Sequence, residues 1–171
     1  MIREIVIYPD KRLKLVSKEV KEFNKELHTL LDDMYETMIA KNGIGLAAIQ
    51  VGVDLQALII NLVREGEEKQ YKEDLVEVIN PKILEMDGEI TYQEGCLSVP
   101  NYYEDVKRAE HIKVSFYDRD GNEHIKEYDG LMAIAFQHEL DHLNGHLFIE
   151  RLSFLKRKKF EKEWKKRLKK K

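Results

Sequence analysis

One stretch, Leu131 to Leu143, constrains the rest of the chain more than any other. Leu131, Ile134, Ala135, His138 and His142 recur at spacings of three and four. Side chains so spaced share one face of a helix that turns once in about 3.6 residues. Asp129 precedes the pattern as an N-cap and Gly145 follows it as a stop, so the spacing predicts a helix from Gly130 or Leu131 to about Leu143. The two histidines continue the apolar face, which must pack on something, so they point inward. The motif is H-E-x-x-H: His138 and His142 can hold one metal ion while Glu139 stands beside it to handle protons. Two imidazoles leave the centre incomplete, because a catalytic zinc-like site takes three protein ligands and one open position for water.

The rest of the chain supplies candidate surroundings. Residues 1–20 read as extended, with Ile5-Val6-Ile7-Tyr8 ending at the turn signal Pro9-Asp10. A helix is predicted from Lys25 to Lys41, because Leu27, Leu30, Leu31, Met34 and Met38 fall at helical spacing between the cap Asn24 and the stop Asn42-Gly43. Gly43 to Gly52 fits G-x-G-x-x-A, but a nucleotide-binding loop needs a strand before and a helix after. Here a helix precedes, so the segment reads as a tight loop whose backbone comes close to a ligand, with the amide of Gln50 beside it. Predicted strands are Leu55–Asn61, Leu75–Ile79 (closed by the turn signal Asn80-Pro81), Glu89–Gln93, Ile112–Tyr117 and Glu123–Tyr128. A Lys-rich helix follows from about Phe154, packed by Leu155, Phe160 and Trp164.

At 171 residues the chain fits one domain with a single sizeable core. The charge is uneven. Ser153 to Lys171 holds 11 Lys/Arg against 2 Glu, so residues 1–152 carry −12 within a whole-chain charge of −3. No apolar run approaches the roughly 18 residues of a spanning helix, and no signal-peptide pattern opens the sequence. One cysteine, Cys96, allows no internal disulfide. These features fit a cytoplasmic protein with no membrane association.

Three sources compete for the third ligand. A metzincin would place histidine ten residues after His138, and that position is Phe148. A zinc peptidase would use a downstream glutamate, Glu161 or Glu163, both embedded among lysines that would pair with them. Cys96, in Glu94-Gly95-Cys96-Leu97-Ser98, follows a strand and could offer a soft thiolate to Zn or Fe(II). The other histidines, His28, His111, His124 and His146, do not cluster in sequence.

Three motifs stand in order: G-x-G-x-A-A-x-Q at Gly43–Gln50, E-G-C-L-S at Glu94–Ser98 and H-E-x-D-H at His138–His142. Together they resemble the peptide deformylases. Tyr8-Pro9-Asp10, Asp118-Arg119-Asp120-Gly121 and Leu147-Phe148 through Arg151-Leu152 extend the resemblance over nearly the whole chain. One departure is Ile49, where the family usually has proline; Gln50 keeps its place.

The resemblance implies an α+β fold, with antiparallel or mixed sheets around the H-E-x-x-H helix, an N-terminal helix and a C-terminal basic helix. It divides the chain into a catalytic part, 1–152, and a dependent helical extension, 153–171. It implies hydrolysis of the formyl group from N-formyl-methionyl nascent peptides, releasing formate. One divalent ion, Fe(II) in the cell with Zn, Ni or Co accepted, is then held by Cys96, His138 and His142. Water on that ion attacks the formyl carbon; Glu139 takes the water's proton and passes it to the leaving amine. The side-chain amide of Gln50 and the backbone N–H of Leu97 bind the oxyanion. Ile44, Leu131, Ile134 and Ala135 are placed to line a methionine pocket, and the backbone of Ile44-Gly45 and Leu97 could receive an extended peptide as an added strand. Arg108 reads as a contact for the peptide beyond methionine, and Asp141 as a partner in the surroundings rather than a ligand. The basic C-terminal helix reads as a docking element for ribosomal RNA. The rivals are a zinc peptidase using Glu161 or Glu163, and a non-catalytic metal- or RNA-binding module.

Overall fold

The computed structural model describes residues 1–170. Its three α-helices are α1 (Lys25–Ala40), α2 (Gly130–Leu143) and α3 (Phe154–Lys169). Its strands are β1 (Gly45–Ala47), β2 (Ala57–Ile60), β3 (Val76–Asp87), β4 (Ile90–Cys96), β5 (Val99–Arg108), β6 (His111–Tyr117) and β7 (Glu123–Asp129). Five strands form a sheet in the order β1-β2-β3-β6-β7, while β4 and β5 form a separate hairpin. Every pairing between these strands is antiparallel.

The sheet lies between two helices, and the sequence shows why. Strand β2, Ala57-Leu58-Ile59-Ile60, is an unbroken apolar run buried on both faces. Leu58 and Ile60 join Ala133 and Phe136 of α2; Ala57 and Ile59 join Leu27, Leu31, Met34 and Met38 of α1. Strand β6 alternates, so Ile112, Val114 and Phe116 turn toward α2 while Lys113 and Ser115 stay half-exposed. Helix α2 is buried along most of its surface, not along one stripe. A second apolar group, including Val99, Tyr102, Val106, Phe148, Phe160 and Trp164, gathers the β4–β5 hairpin, the turn after α2 and helix α3.

Several expectations need correction. Strand β3 does not stop at Asn80-Pro81. Asn80 takes a left-handed conformation (φ 50°) at an irregularity between Ile79 and Lys82, and the strand resumes. Asn tolerates that conformation, and Pro81 has no N–H to donate there. The Asn80 side chain accepts from the Val20 N–H (2.8 Å) and donates to the Val20 carbonyl (2.9 Å), which ties down the N-terminal segment. Strand β5 escaped the pattern because Pro100, left-handed Asn101 and four charged residues interrupt its alternation. Within the segment read as a loop, Gly45–Ala47 pairs with Leu58–Ile60. Asp129 makes no side-chain cap on α2; its carboxylate is taken by His111.

Helix α3 is part of the same packing. Phe160 and Trp164, four apart, are buried beside Tyr8 and Tyr102. Leu155, expected to pack with them, is 79% exposed. It lies five residues before Phe160, on a different face of the helix. Phe160→Ala is expected to lower unfolding stability by about 3–5 kcal/mol, and Leu155→Ala to stay within about 0.5 kcal/mol. Urea denaturation of both checks this.

Candidate metal centre

Helix α2 carries His138 and His142 one turn apart, their ring centroids 5.1 Å apart and nearly perpendicular. Cys96 arrives from the end of β4. A register shift between Glu94 and Cys96 turns the strand there. Gly95 permits the close approach of Tyr103: a Cβ on Gly95 would lie 2.5 Å from that ring. The Cys96, His138 and His142 donor atoms all fall within 4.8 Å of one another, the one such group of His, Cys, Asp or Glu among the described residues. Cys96 Sγ lies 3.4 Å from His142 Nε2.

The chemistry of these donors fits a divalent cation. His138 Nδ1 donates to Glu94 Oε1 at 2.8 Å, which leaves its Nε2 lone pair free. Burial and the neighbouring His138 hold His142 well below the ordinary histidine pKa, in the neutral form that ligates. Against burial, Glu139, the Cys96 sulfur and Glu94 draw His138 well above its ordinary value.

A chain of buried ion pairs frames the histidines. Arg108 donates twice to Glu94 (2.6 and 2.8 Å) and once to Asp141 (2.9 Å), and Arg151 donates to both oxygens of Asp141 (2.6 and 2.8 Å). Burial would raise the Glu94 and Asp141 carboxyls, but these guanidiniums, with His138 on Glu94, hold both below the usual range. Arg108 is therefore not a peptide contact: its side chain is 1% exposed and lies outside the cleft. Glu94, Ser98 and Arg151 had no assigned role from sequence. Glu94 stands two residues before Cys96, and the two-residue period of a strand is the signal that could have placed it beside the site.

The donors open on a cleft of about 1020 Å³. Ile44, Gly45, Gln50, Cys96, Leu97, Leu131, Ile134, Ala135, His138 and Glu139 all line it; His142 is fully buried behind them. Gln50 accepts from the Ala47 N–H (3.0 Å) and directs its Nε2 at Ser98 Oγ (3.1 Å) and Cys96 Sγ (3.5 Å). Ile49 is fully enclosed in the core that joins β2 to α2. Burial pushes the Glu139 carboxyl up to about 7, and its Oε1 has no partner within the protein. Its Oε2 lies against Gly45, where a Cβ would come within 2.5 Å of it.

The rival ligands lie elsewhere. Glu161 pairs with Arg157 and Lys158 on α3. His28 bonds the Arg119 carbonyl, and His111, His124 and His146 bond Asp129, Asp118 and Glu150. Arg108→Met is expected to cost about 3–5 kcal/mol, because it leaves the buried Glu94 with the His138 N–H alone and removes one of the two guanidiniums on Asp141. Arg151→Ala is expected to cost less, since Arg108 still serves Asp141 and the Arg151 side chain is half-exposed. Chemical denaturation of the two variants checks the order.

The polypeptide deformylase family model matches residues 2–158. Peptide deformylase of Nautilia profundicola is 59% identical over 99% of this chain and 97% of its own. That of Campylobacter jejuni is 58% identical over the same shares. Among solved structures, a peptide deformylase from Legionella pneumophila superposes with a TM-score of 0.87 at 40% identity, covering 100% of this chain and 99% of its own. One from Ehrlichia chaffeensis, in complex with actinonin, gives 0.87 at 42% identity over 97% of each. A match this long, together with a Cys-His-His donor set beside a buried glutamate, means that the chain belongs to the polypeptide deformylase family.

Proposed function

We propose that this chain hydrolyses the formyl amide at the N-terminus of formyl-methionyl peptides, releasing formate and a free amine. The observation that carries the reading is the convergence of the Cys96, His138 and His142 donor atoms at a cleft that Cys96, His138 and Glu139 line. A divalent ion held by those three residues supplies Lewis acidity and lowers the pKa of water. In this reading the ion is Fe(II) in the cell, with Zn, Ni or Co as substitutes.

The chain's own residues do the rest. Glu139, near neutrality in pKa and with a free carboxylate oxygen, takes a proton from the attacking water and delivers it to the leaving nitrogen. Gln50 Nε2 and the Leu97 backbone N–H stabilise the oxyanion of the tetrahedral intermediate, and Ser98 and Ala47 fix the Gln50 amide. The methionine side chain enters between Ile44, Leu131, Ile134 and Ala135. The peptide backbone lies along Ile44-Gly45 and Leu97 as an added strand. A zinc peptidase is disfavoured because Glu161 sits among lysines and arginines on α3, away from the donor group. A merely binding module leaves the buried, unpartnered Glu139 oxygen unexplained.

Formate release from a formyl-Met tripeptide tests the reading. Glu139→Ala is expected to keep its metal and lose about 10²–10⁴-fold in rate; Cys96→Ala is expected to lose both metal and activity. A Cys96→Ala protein with normal metal content and turnover would remove the assignment.

The basic face of α3 docks on ribosomal RNA in this reading, and 1–152 and 153–171 form one folding unit. Truncation is a poor test, because it removes Phe160 and Trp164 from the core. Exchanging the exposed Lys158, Lys159, Lys165 and Lys166 for glutamate is expected to weaken ribosome co-sedimentation at low salt and leave tripeptide turnover within about twofold.

A further inference from the structure

The segment Gly43–Gly45 meets both halves of the site. A Cβ on Gly43 would lie 2.7 Å from Leu97 Cδ1, and one on Gly45 would lie 2.5 Å from Glu139 Oε2. Gly45 is held by pairing with Ile60, and Ile44 by the Asn61 N–H on its carbonyl (2.8 Å). Gly43 is held differently. Its N–H donates to the Met38 carbonyl at the end of α1 (2.9 Å), and its carbonyl accepts from Gln70 Nε2 (2.9 Å). The same Gln70 nitrogen donates to the Asn61 carbonyl (2.6 Å). One amide thus joins the backbones of two segments that sequence places 18 residues apart.

Gln70 does not line the cleft; it reaches the lining residue Gly43 through that residue's carbonyl. It belongs to an otherwise exposed hairpin, in which Val63 bridges Gln70. Arg64 braces that hairpin, lying over the Tyr71 ring at 4.0 Å and pairing with Glu73 (2.6 Å) and Asp74 (2.7 Å). The Asn61 side chain closes it by donating to the Tyr71 carbonyl (2.8 Å).

We propose that Gln70 is a positioning residue, setting the cleft edge along which the peptide substrate lies. The inference rests on the reading of Ile44-Gly45 as the peptide-receiving edge. Without the Gln70 donors, the carbonyls of Gly43 and Asn61 face each other with nothing between them, and the entrance to the edge loses its fixed direction. Glu139 and the metal ligands sit on other elements, so the loss falls on binding rather than on the chemical step.

Steady-state kinetics on a formyl-Met tripeptide test this with the metal-loaded enzyme. Gln70→Leu is expected to raise KM at least fivefold, with kcat within twofold and metal content unchanged. Gln70→Lys, which keeps a donor of similar reach, is expected to return KM to within about twofold of wild type. Glu67→Gln, on the same hairpin but with a side chain that accepts from the Tyr71 hydroxyl, is expected to leave KM unchanged. An unchanged KM in Gln70→Leu overturns the inference, as does equal impairment of Leu and Lys variants, or a fall in kcat alone. Gln70→Ala serves the same comparison if the Leu variant is insoluble. Absence of turnover in the wild type would instead refute the proposed function, so the two failures are distinct.

Discussion

The site depends above all on the bidentate ion pair between Arg108 and Glu94. The β4–β5 hairpin is not part of the main sheet, yet it carries Cys96, Leu97 and Ser98. Apolar packing alone would let such a hairpin slide, because hydrophobic contact has no direction. Arg108 gives it one. The guanidinium binds Glu94 on its own hairpin and Asp141 on α2, and Glu94 in turn receives the His138 N–H. Buried pairs of this kind contribute little net stability, since desolvation offsets attraction. Their geometry is strict, however, and here that geometry orients an imidazole and sets where the Cys96 sulfur meets the donor group.

A second set of constraints comes from the N-terminal segment. It contains no strand of its own, yet its backbone bonds the Gln50 carbonyl through Val6, the Ser98 carbonyl through Tyr8 and the Leu143 carbonyl through Ser17. Each partner belongs to a different element of the site: the turn after β1, the β4–β5 loop and the end of α2. This segment, extended except for one helical turn at Lys11–Lys14, fastens those three pieces. Phe160 and Trp164 of α3 pack on the same segment through Tyr8. The basic helix therefore supports the site mechanically while its lysines stay in solvent.

Much of this was readable in the residues. The period of α2 set its helix, its inward histidines and its end. The apolar run of β2 and the alternation of β6 showed which strands are covered on two faces and which on one. The failures share a cause. Asn80-Pro81 and Pro100-Asn101 are turn signals that tertiary bonds absorb into irregular strands, as the Asn80 amide does with Val20. Arg108 looks like a surface cation from its neighbours Lys107 and Glu110, and only the fold buries it. Leu155 looks apolar enough to pack, but the neighbours of α3 lie on another face.

By itself the sequence determined the local facts: which residues turn a helix, that His138 and His142 share its face, that Glu139 adjoins them, and that Cys96 is the one thiol available. These follow from spacing, because helix and strand periods are short-range properties of the backbone. Only the tertiary structure decided that Cys96 lies 3.4 Å from His142, that Glu94 holds His138, and that Gln70 grips Gly43. Those contacts join residues 46, 44 and 27 positions apart. No local period encodes such distances; they are set by how the hairpin, helix and loop bury their apolar faces against one another.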